Sequence, residues 1–183
     1  MKNIIFVTSH AKKAAELSLY LKRPVSHHKL DLTEIQSLDP HEVARVKAEE
    51  AYKQMNAPVL VEDYSLRLEA LGKLPGTLIK WFLDEIGVEG ITRLLDSYNN
   101  RTAYAQTCFG YCDENGSRVF DGTLKGTVPL TARGENGYGT DSIFIPDGQD
   151  KTWGEMNEDE LSQYSIRRIA LEKLEAYLQQ KTT

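Results

Sequence analysis

Apolar residues open the chain in a short block. NIIFVT, residues 3 to 8, has strand character, and from about Ser9 to Leu21 the spacing turns helical, with Ala14, Leu17 and Leu21 on one stripe. The pattern predicts a strand, a short turn and a helix. A polar stretch follows, and then Asp39-Pro40, an N-cap residue with a proline at the first helical position. Behind it Ala44, Ala48, Ala51 and Met55 recur at i, i+4, i+7 and i+11, which predicts a second helix packed through small side chains. PVLVE, from residue 58, reads as a core strand covered on both faces, yet it drives directly into two adjacent carboxylates, Glu62 and Asp63. Gly72, Pro75 and Gly76 punctuate its exit. Helical spacing resumes in GTLIKWFLDEIG, where Gly87 is placed to end it in a left-handed cap, and another helix is predicted over about 88–97.

From Arg101 the pattern becomes β-rich. RTAYAQTCFGYC and SRVFDGTLKGTV flank Asp113-Glu114-Asn115-Gly116, a hairpin signal. A Gly-rich segment then carries a short predicted strand at about SIFI, and a closing helix is predicted over about 158–179. No repeat or linker interrupts the chain. Together these elements predict an α/β fold, a mixed twisted β-sheet with flanking helices, in one domain over 1–183. Two lobes are expected to share the sheet: one of about 1–100 with the closing helix 158–179, and a β-rich one of about 101–157.

Composition narrows the function classes. With 183 residues, 40% hydrophobic and 27% charged, the chain has material for a sizeable core. A net charge of −5 with interspersed signs argues against a nucleic-acid surface. The opening apolar run is too short for a signal-peptide core or a membrane span, so a cytoplasmic protein without membrane partners is expected. Cys108 and Cys112 are the two cysteines; with no histidine cluster beside them, reduced structural thiols are expected rather than a metal site.

Three cations stand where apolar residues should. Lys13 falls in the first turn of the first helix, where the helix dipole disfavours it, and heads the stripe continued by Leu17 and Leu21. Lys47 borders the alanine stripe of the second helix, and Arg167 heads Leu171, Leu174 and Leu178 in the closing helix. Each lysine alone reads as a rim residue whose aliphatic stem covers apolar surface, whereas the Arg167 guanidinium needs an acceptor, a structural carboxylate or a ligand. Together with acids at a strand end, they point to a site for a polyanion and a divalent metal.

The motifs carrying these residues resemble the inosine triphosphate pyrophosphatase family along nearly the whole chain. The family's opening pattern T-x-N-x-x-K-x-x-E is matched by Thr8, Ser9, His10, Ala11, Lys12, Lys13, Ala14, Ala15 and Glu16, with His10 in place of the asparagine. LEALGKLPGTLIKWF is the most specific stretch and is similar to the eukaryotic branch. Three segments depart from the pattern. F-G-W-D is here Tyr138-Gly139-Thr140-Asp141, S-H-R is Ser165-Ile166-Arg167, and the lysine shortly before it is Leu161. Tyr64 takes the place of a small serine or threonine.

The resemblance implies an ITPase-like domain with a nucleotide cleft between two lobes, hydrolysing ITP, dITP and XTP to monophosphate and pyrophosphate. It implies Mg²⁺ among triphosphate oxygens, Glu34, and Glu62 or Asp63. Asp63 would act as the base on water, and Lys13 and Lys47 would neutralise the leaving group. Thr8, Ser9 and His10 would line the phosphate end; Tyr64, Tyr138, Gly139, Thr140, Asp141, Ser165 and Arg167 would line the base and sugar end. Tyr138 would stack on the base. A homodimer is also implied, with KLPGTLIKWF suited to the interface. A pyrophosphatase shifted to a modified or standard nucleotide, and a nucleotide-binding module without turnover, stand as alternatives.

Overall fold

The computed structural model describes residues 3–8 and 11–181, with the backbone but not the side chain of Lys12. The strands are β1 (Ile4–Val7), β2 (Val25–His28), β3 (Val59–Leu68), β4 (Pro75–Gly76), β5 (Thr102–Asp113), β6 (Gly116–Thr127) and β7 (Ile145–Pro146). The helices are α1 (Ala11–Leu21), α2 (Pro40–Met55), α3 (Ile79–Arg93), α4 (Glu158–Gln163) and α5 (Ile166–Gln180). The seven strands form one mixed, open sheet in the order β2-β1-β3-β5-β6-β7, with β4 on β3. β1 is parallel to both β2 and β3, while β4 and β7 pair antiparallel to β3 and β6. The expected mixed α/β fold is what the chain adopts.

Strand alternation sorts the first core into two layers. Ile5 pairs with Val59 and Phe6 with Leu60, so Ile4, Phe6 and Leu60 share one face of the sheet and Ile5, Val7, Val59 and Val61 the other. The first face packs against Ala14, Leu17 and Leu21 of α1 and Ala170, Leu171, Leu174 and Leu178 of α5. The second packs against Ala48 and Ala51 of α2. α2 starts as predicted: Asp39 Oδ1 accepts from His41 N at 2.9 Å, and Pro40 occupies the first turn. Its approach to the sheet is very close, because a Cβ on Gly110 of β5 would lie 2.2 Å from the Ala44 carbonyl oxygen. Small residues on both sides therefore fix how near Lys47 comes to β3.

Several local expectations are met and others revised. The β5–β6 turn is Glu114-Asn115, and Gly87 (φ 64°) interrupts α3 where the left-handed cap was expected. β3 runs on through Glu62 and Asp63 to Leu68, so the carboxylates lie within the strand rather than at its end. The SIFI strand is instead a 3₁₀ turn at Asp141–Ile143 followed by β7. The closing helix is two helices: Ser165 Oγ accepts from Arg168 N at 3.1 Å, the N-cap bond that starts α5 afresh. Both cysteines are free and fully buried, and burial first of all pushes the Cys108 thiol up to about 12.

The described residues fall into two compact units. One comprises the chain up to Asp63, Thr107–Gly122 and the chain from Ile169; the other comprises Tyr64–Gln106 and Thr123–Arg168. The division therefore runs elsewhere than the expected lobe boundaries near 100 and 158. β5 and β6 are twelve residues each, long enough to serve two cores, so the hairpin tip belongs with the first unit and the segment 64–100 with the second. The second unit has its own core around Leu66, Leu68, Ile91, Leu95, Phe144 and Trp153. Among the described residues no helix is long and apolar enough to cross a membrane.

Candidate functional site

Because successive strand residues point to opposite faces, Glu62 follows Leu60 onto the α1 side of β3 and Asp63 follows Val61 onto the α2 side. Each carboxylate is met by the lysine of the helix covering its face. Lys13 Nζ lies 3.5 Å from Glu62 Oε2. Lys47 Nζ donates to Asp63 Oδ1 at 2.8 Å and to Glu34 Oε1 at 3.0 Å. The two cations that look misplaced in the sequence are thus the partners of the two adjacent acids, one pair on each face.

The pairs differ in depth. Lys47 and Asp63 are 13% and 12% exposed, whereas Lys13 is 33% and Glu34 60% exposed. Burial works against the Lys47 ammonium, but Asp63 and Glu34 outweigh it and hold its pKa above the ordinary lysine value. Burial is also the main influence on Asp63 and raises it above the usual carboxylate range; Lys47 opposes this, and the charges of Glu34 and Glu62 add to it. A carboxylate lifted in this way is a stronger base than an exposed aspartate.

The residues fit a divalent hard cation only in part. Among the described residues no group of three or more His, Cys, Asp or Glu is placed to hold a metal ion. β3 sends Glu62 and Asp63 to opposite faces, and Glu34 shares Lys47 with Asp63. What the site offers is carboxylate oxygens in ones and twos, which suits a hard divalent cation that takes the rest of its shell from other oxygen ligands.

Residues outside the expected set hold these groups in place. Glu50 of α2 accepts from Thr33 N at 3.1 Å and Thr33 Oγ1 at 3.3 Å, fastening the loop beside Glu34 to the helix that carries Lys47. Thr107 Oγ1 donates to the Asp63 carbonyl at 3.3 Å. The signal for Glu50 is its place three residues after Lys47 on one helix face; Thr107 gives none without the strand pairing. Thr8 N donates to the His28 carbonyl at 3.0 Å at the end of β1. Ser9 and His10 lie outside the described residues.

In the second unit the residues expected to meet the base cluster around one loop. Tyr138 is 75% exposed and Thr140 is buried. Asp141 Oδ2 accepts from Tyr138 N at 2.9 Å, and a Cβ on Gly137 would collide with that carboxylate at 2.0 Å, so Asp141 closes its own loop. Burial pushes the Asp141 carboxyl up, opposed by that bond. Tyr64 and Thr140 share a hydroxyl hydrogen bond of 2.5 Å. Ser165 is engaged as the α5 cap, with half-buried Arg167 in the first turn behind it. Ile166 is part of the unit's apolar core and Leu161 packs on it, so the positions where the resemblance has histidine and lysine carry core contacts here.

The chain is thus a mixed α/β protein with a lysine–carboxylate pair on each face of a central strand. The chain belongs to the Ham1 family, whose profile matches residues 4–177. It is 41% identical to the inosine triphosphate pyrophosphatase of Yarrowia lipolytica (strain CLIB 122 / E 150), across 98% of this chain and 97% of that one. It is 40% identical to inosine triphosphate pyrophosphatase 2 of Trypanosoma cruzi (strain CL Brener), across 95% and 91%. The solved structure of the Staphylococcus aureus Ham1 protein superposes with a TM-score of 0.89 at 26% identity, covering 98% of this chain and 100% of that one.

Proposed function

We propose that this protein hydrolyses non-standard purine nucleoside triphosphates such as ITP, dITP and XTP to the nucleoside monophosphate and pyrophosphate. One observation carries the reading: a chain similar over nearly its full length to inosine triphosphate pyrophosphatases holds Lys13 and Lys47 against Glu62 and Asp63. Asp63 orients and deprotonates the attacking water. The water oxygen bonds to phosphorus, the bridging P–O bond breaks, and pyrophosphate leaves. Lys13 and Lys47 exchange a carboxylate contact for phosphate oxygens and neutralise the charge that develops there. Thr8, Ser9 and His10 complete the phosphate end.

Glu34 with Glu62 or Asp63 would hold Mg²⁺ together with the substrate's triphosphate, and the ion would supply polarisation of the phosphoryl group. Tyr138 stacks on the base, Gly139 and Asp141 shape the loop beneath it, and Ser165 and Arg167 read its edge. A 6-oxo group accepts from Arg167 where a 6-amino group does not, which favours inosine and xanthosine forms. The reading includes a cytoplasmic homodimer; the 63% exposure of Trp81 within KLPGTLIKWF supports that interface.

The test is pyrophosphate release from ITP, XTP, GTP, ATP and pyrimidine triphosphates with and without Mg²⁺. The expected result is Mg²⁺-dependent turnover of ITP and XTP at least ~10²-fold above ATP in kcat/KM, without orthophosphate. Tight nucleotide binding with no turnover at any metal concentration would replace the enzyme by a binding module.

A further inference from the structure

Thr140 is 2% exposed in a loop whose Tyr138 is 75% exposed. Within the loop Tyr138 N donates to Asp141 Oδ2, Ile143 N donates to the Thr140 carbonyl at 3.0 Å, and Gly137 and Gly139 take positive φ of 77° and 64°, while Asn136 fastens its start to the Gly154 carbonyl at 3.0 Å and the Met156 carbonyl at 3.1 Å. At the buried root of this loop Thr140 Oγ1 and the Tyr64 hydroxyl of β3 share a hydrogen bond of 2.5 Å. Tyr64 directly follows Asp63 on β3, and its ring packs against the apolar core that also holds Ile166 and takes Leu161. Burial pushes the Tyr64 phenol well up, so it stays protonated and able to donate.

The two residues are also two of the departures from the pattern of the family resemblance. Tyr64 is large where the pattern is small, and Thr140 is small where the pattern has tryptophan. In this chain the two residues touch directly. The hydroxyl pair ties the loop root to the strand.

We propose that Tyr64 is a positioning residue for base binding, acting through Thr140 to set where the loop presents the Tyr138 ring. This rests on the proposal above that Tyr138 stacks on the base. The same strand then places the group that activates water and, one residue on, the group that sets base position. Tyr64→Phe and Thr140→Val each delete one oxygen and little volume, and each leaves the other hydroxyl without its partner. The double variant removes both.

The measurements are KM and kcat for ITP, the Kd of IMP by calorimetry, and Tm, on wild type, both single variants and the double. The expected result is a rise in KM and in IMP Kd of about 5- to 10-fold in each single variant, exceeding any fall in kcat. The double should be no worse than the worse single rather than their product, because the singles break one shared interaction. A fall in Tm with KM and Kd unchanged, or effects that multiply in the double, would overturn the proposal. Absence of ITP turnover by wild type sinks the hydrolase reading alone, since the IMP arm still decides positioning; a wild type that binds no IMP sinks both.

Discussion

At the scale of single residues, Asp63 and Lys47 carry the most weight. Lys47 holds two carboxylates at once, in a place only 13% exposed to solvent. Asp63→Asn keeps the shape and a hydrogen-bond acceptor for Lys47 but removes the base. We expect kcat for ITP to fall by at least ~10²-fold while IMP still binds, read by pyrophosphate release and calorimetry. Unchanged turnover would assign proton transfer to another group. Lys47→Met leaves Asp63 and Glu34 facing each other without a cation. That should cost about 1–3 kcal/mol in urea unfolding, and adding Asp63→Asn should recover part of it, because the uncompensated buried charge is then gone. A full, additive loss in the double variant would mean that the two residues act separately on stability.

At the scale of elements, the position of α2 is the controlling quantity. Ala44 lies against Gly110 closely enough that a methyl group there would press on the Ala44 carbonyl. Gly110→Ala should therefore push the helix from the sheet, lowering stability by about 1–3 kcal/mol and kcat with it, since Lys47 rides one turn further along. Stability loss with kcat intact would show that the helix recovers its place. A second lock joins the C-terminus to the hairpin: Asp113 accepts from the Tyr111 hydroxyl at 3.0 Å, from Asn115 N at 2.9 Å, and from Lys181 Nζ. Burial disfavours this carboxylate, but Lys181, Asn115 and Tyr111 outweigh it and hold its pKa below the ordinary aspartate value of 3.8. The folded state therefore binds its proton less readily than the unfolded chain, and the contribution is present above pH 3.8 and lost as pH falls through the depressed folded value. Asp113→Asn should destabilise by about 1–3 kcal/mol at pH 7, and the gap to wild type should close under acid; a gap constant from pH 7 to 2 would refute the ionic part. Elements with a strong hydrophobic period are legible in the residues alone: α1, α2, the hairpin, and the break at Gly87. β2 is not, because Val25–His28 is a mostly exposed edge strand with no alternation to betray it. Nor is the α4–α5 break, where a serine cap interrupts what periodicity alone runs together.

At the scale of the whole molecule, the candidate site is legible in the sequence as a set of residues but not as an arrangement. Glu62-Asp63 and the lysines on apolar stripes stand out in one dimension. That the acids are separated by the sheet, and that each lysine belongs to its own face, depends on α1 and α2 covering opposite sides of β3. Periodicity within a helix carries no record of which face it will cover. The same limit applies to association, where the sequence offers KLPGTLIKWF as an apolar segment and the fold decides which of its side chains remain outside. Ile79 is buried, while Trp81 and Leu74 are 63% and 39% exposed. A tryptophan left that open on α3 is the kind of residue that anchors an interface, contributing roughly 2–4 kcal/mol when a partner covers it. The proposed homodimer should appear as a mass near twice that of the 20.7 kDa chain in light scattering. Trp81→Glu should raise its dissociation constant at least ~30-fold, the equivalent of about 2 kcal/mol. Because Trp81 contributes little to the core of its own unit, Tm at a concentration where both proteins are monomeric should be nearly unchanged. A dimer untouched by Trp81→Glu would place the interface on another surface, and a monomeric wild type at all concentrations would remove the homodimer from the proposed function.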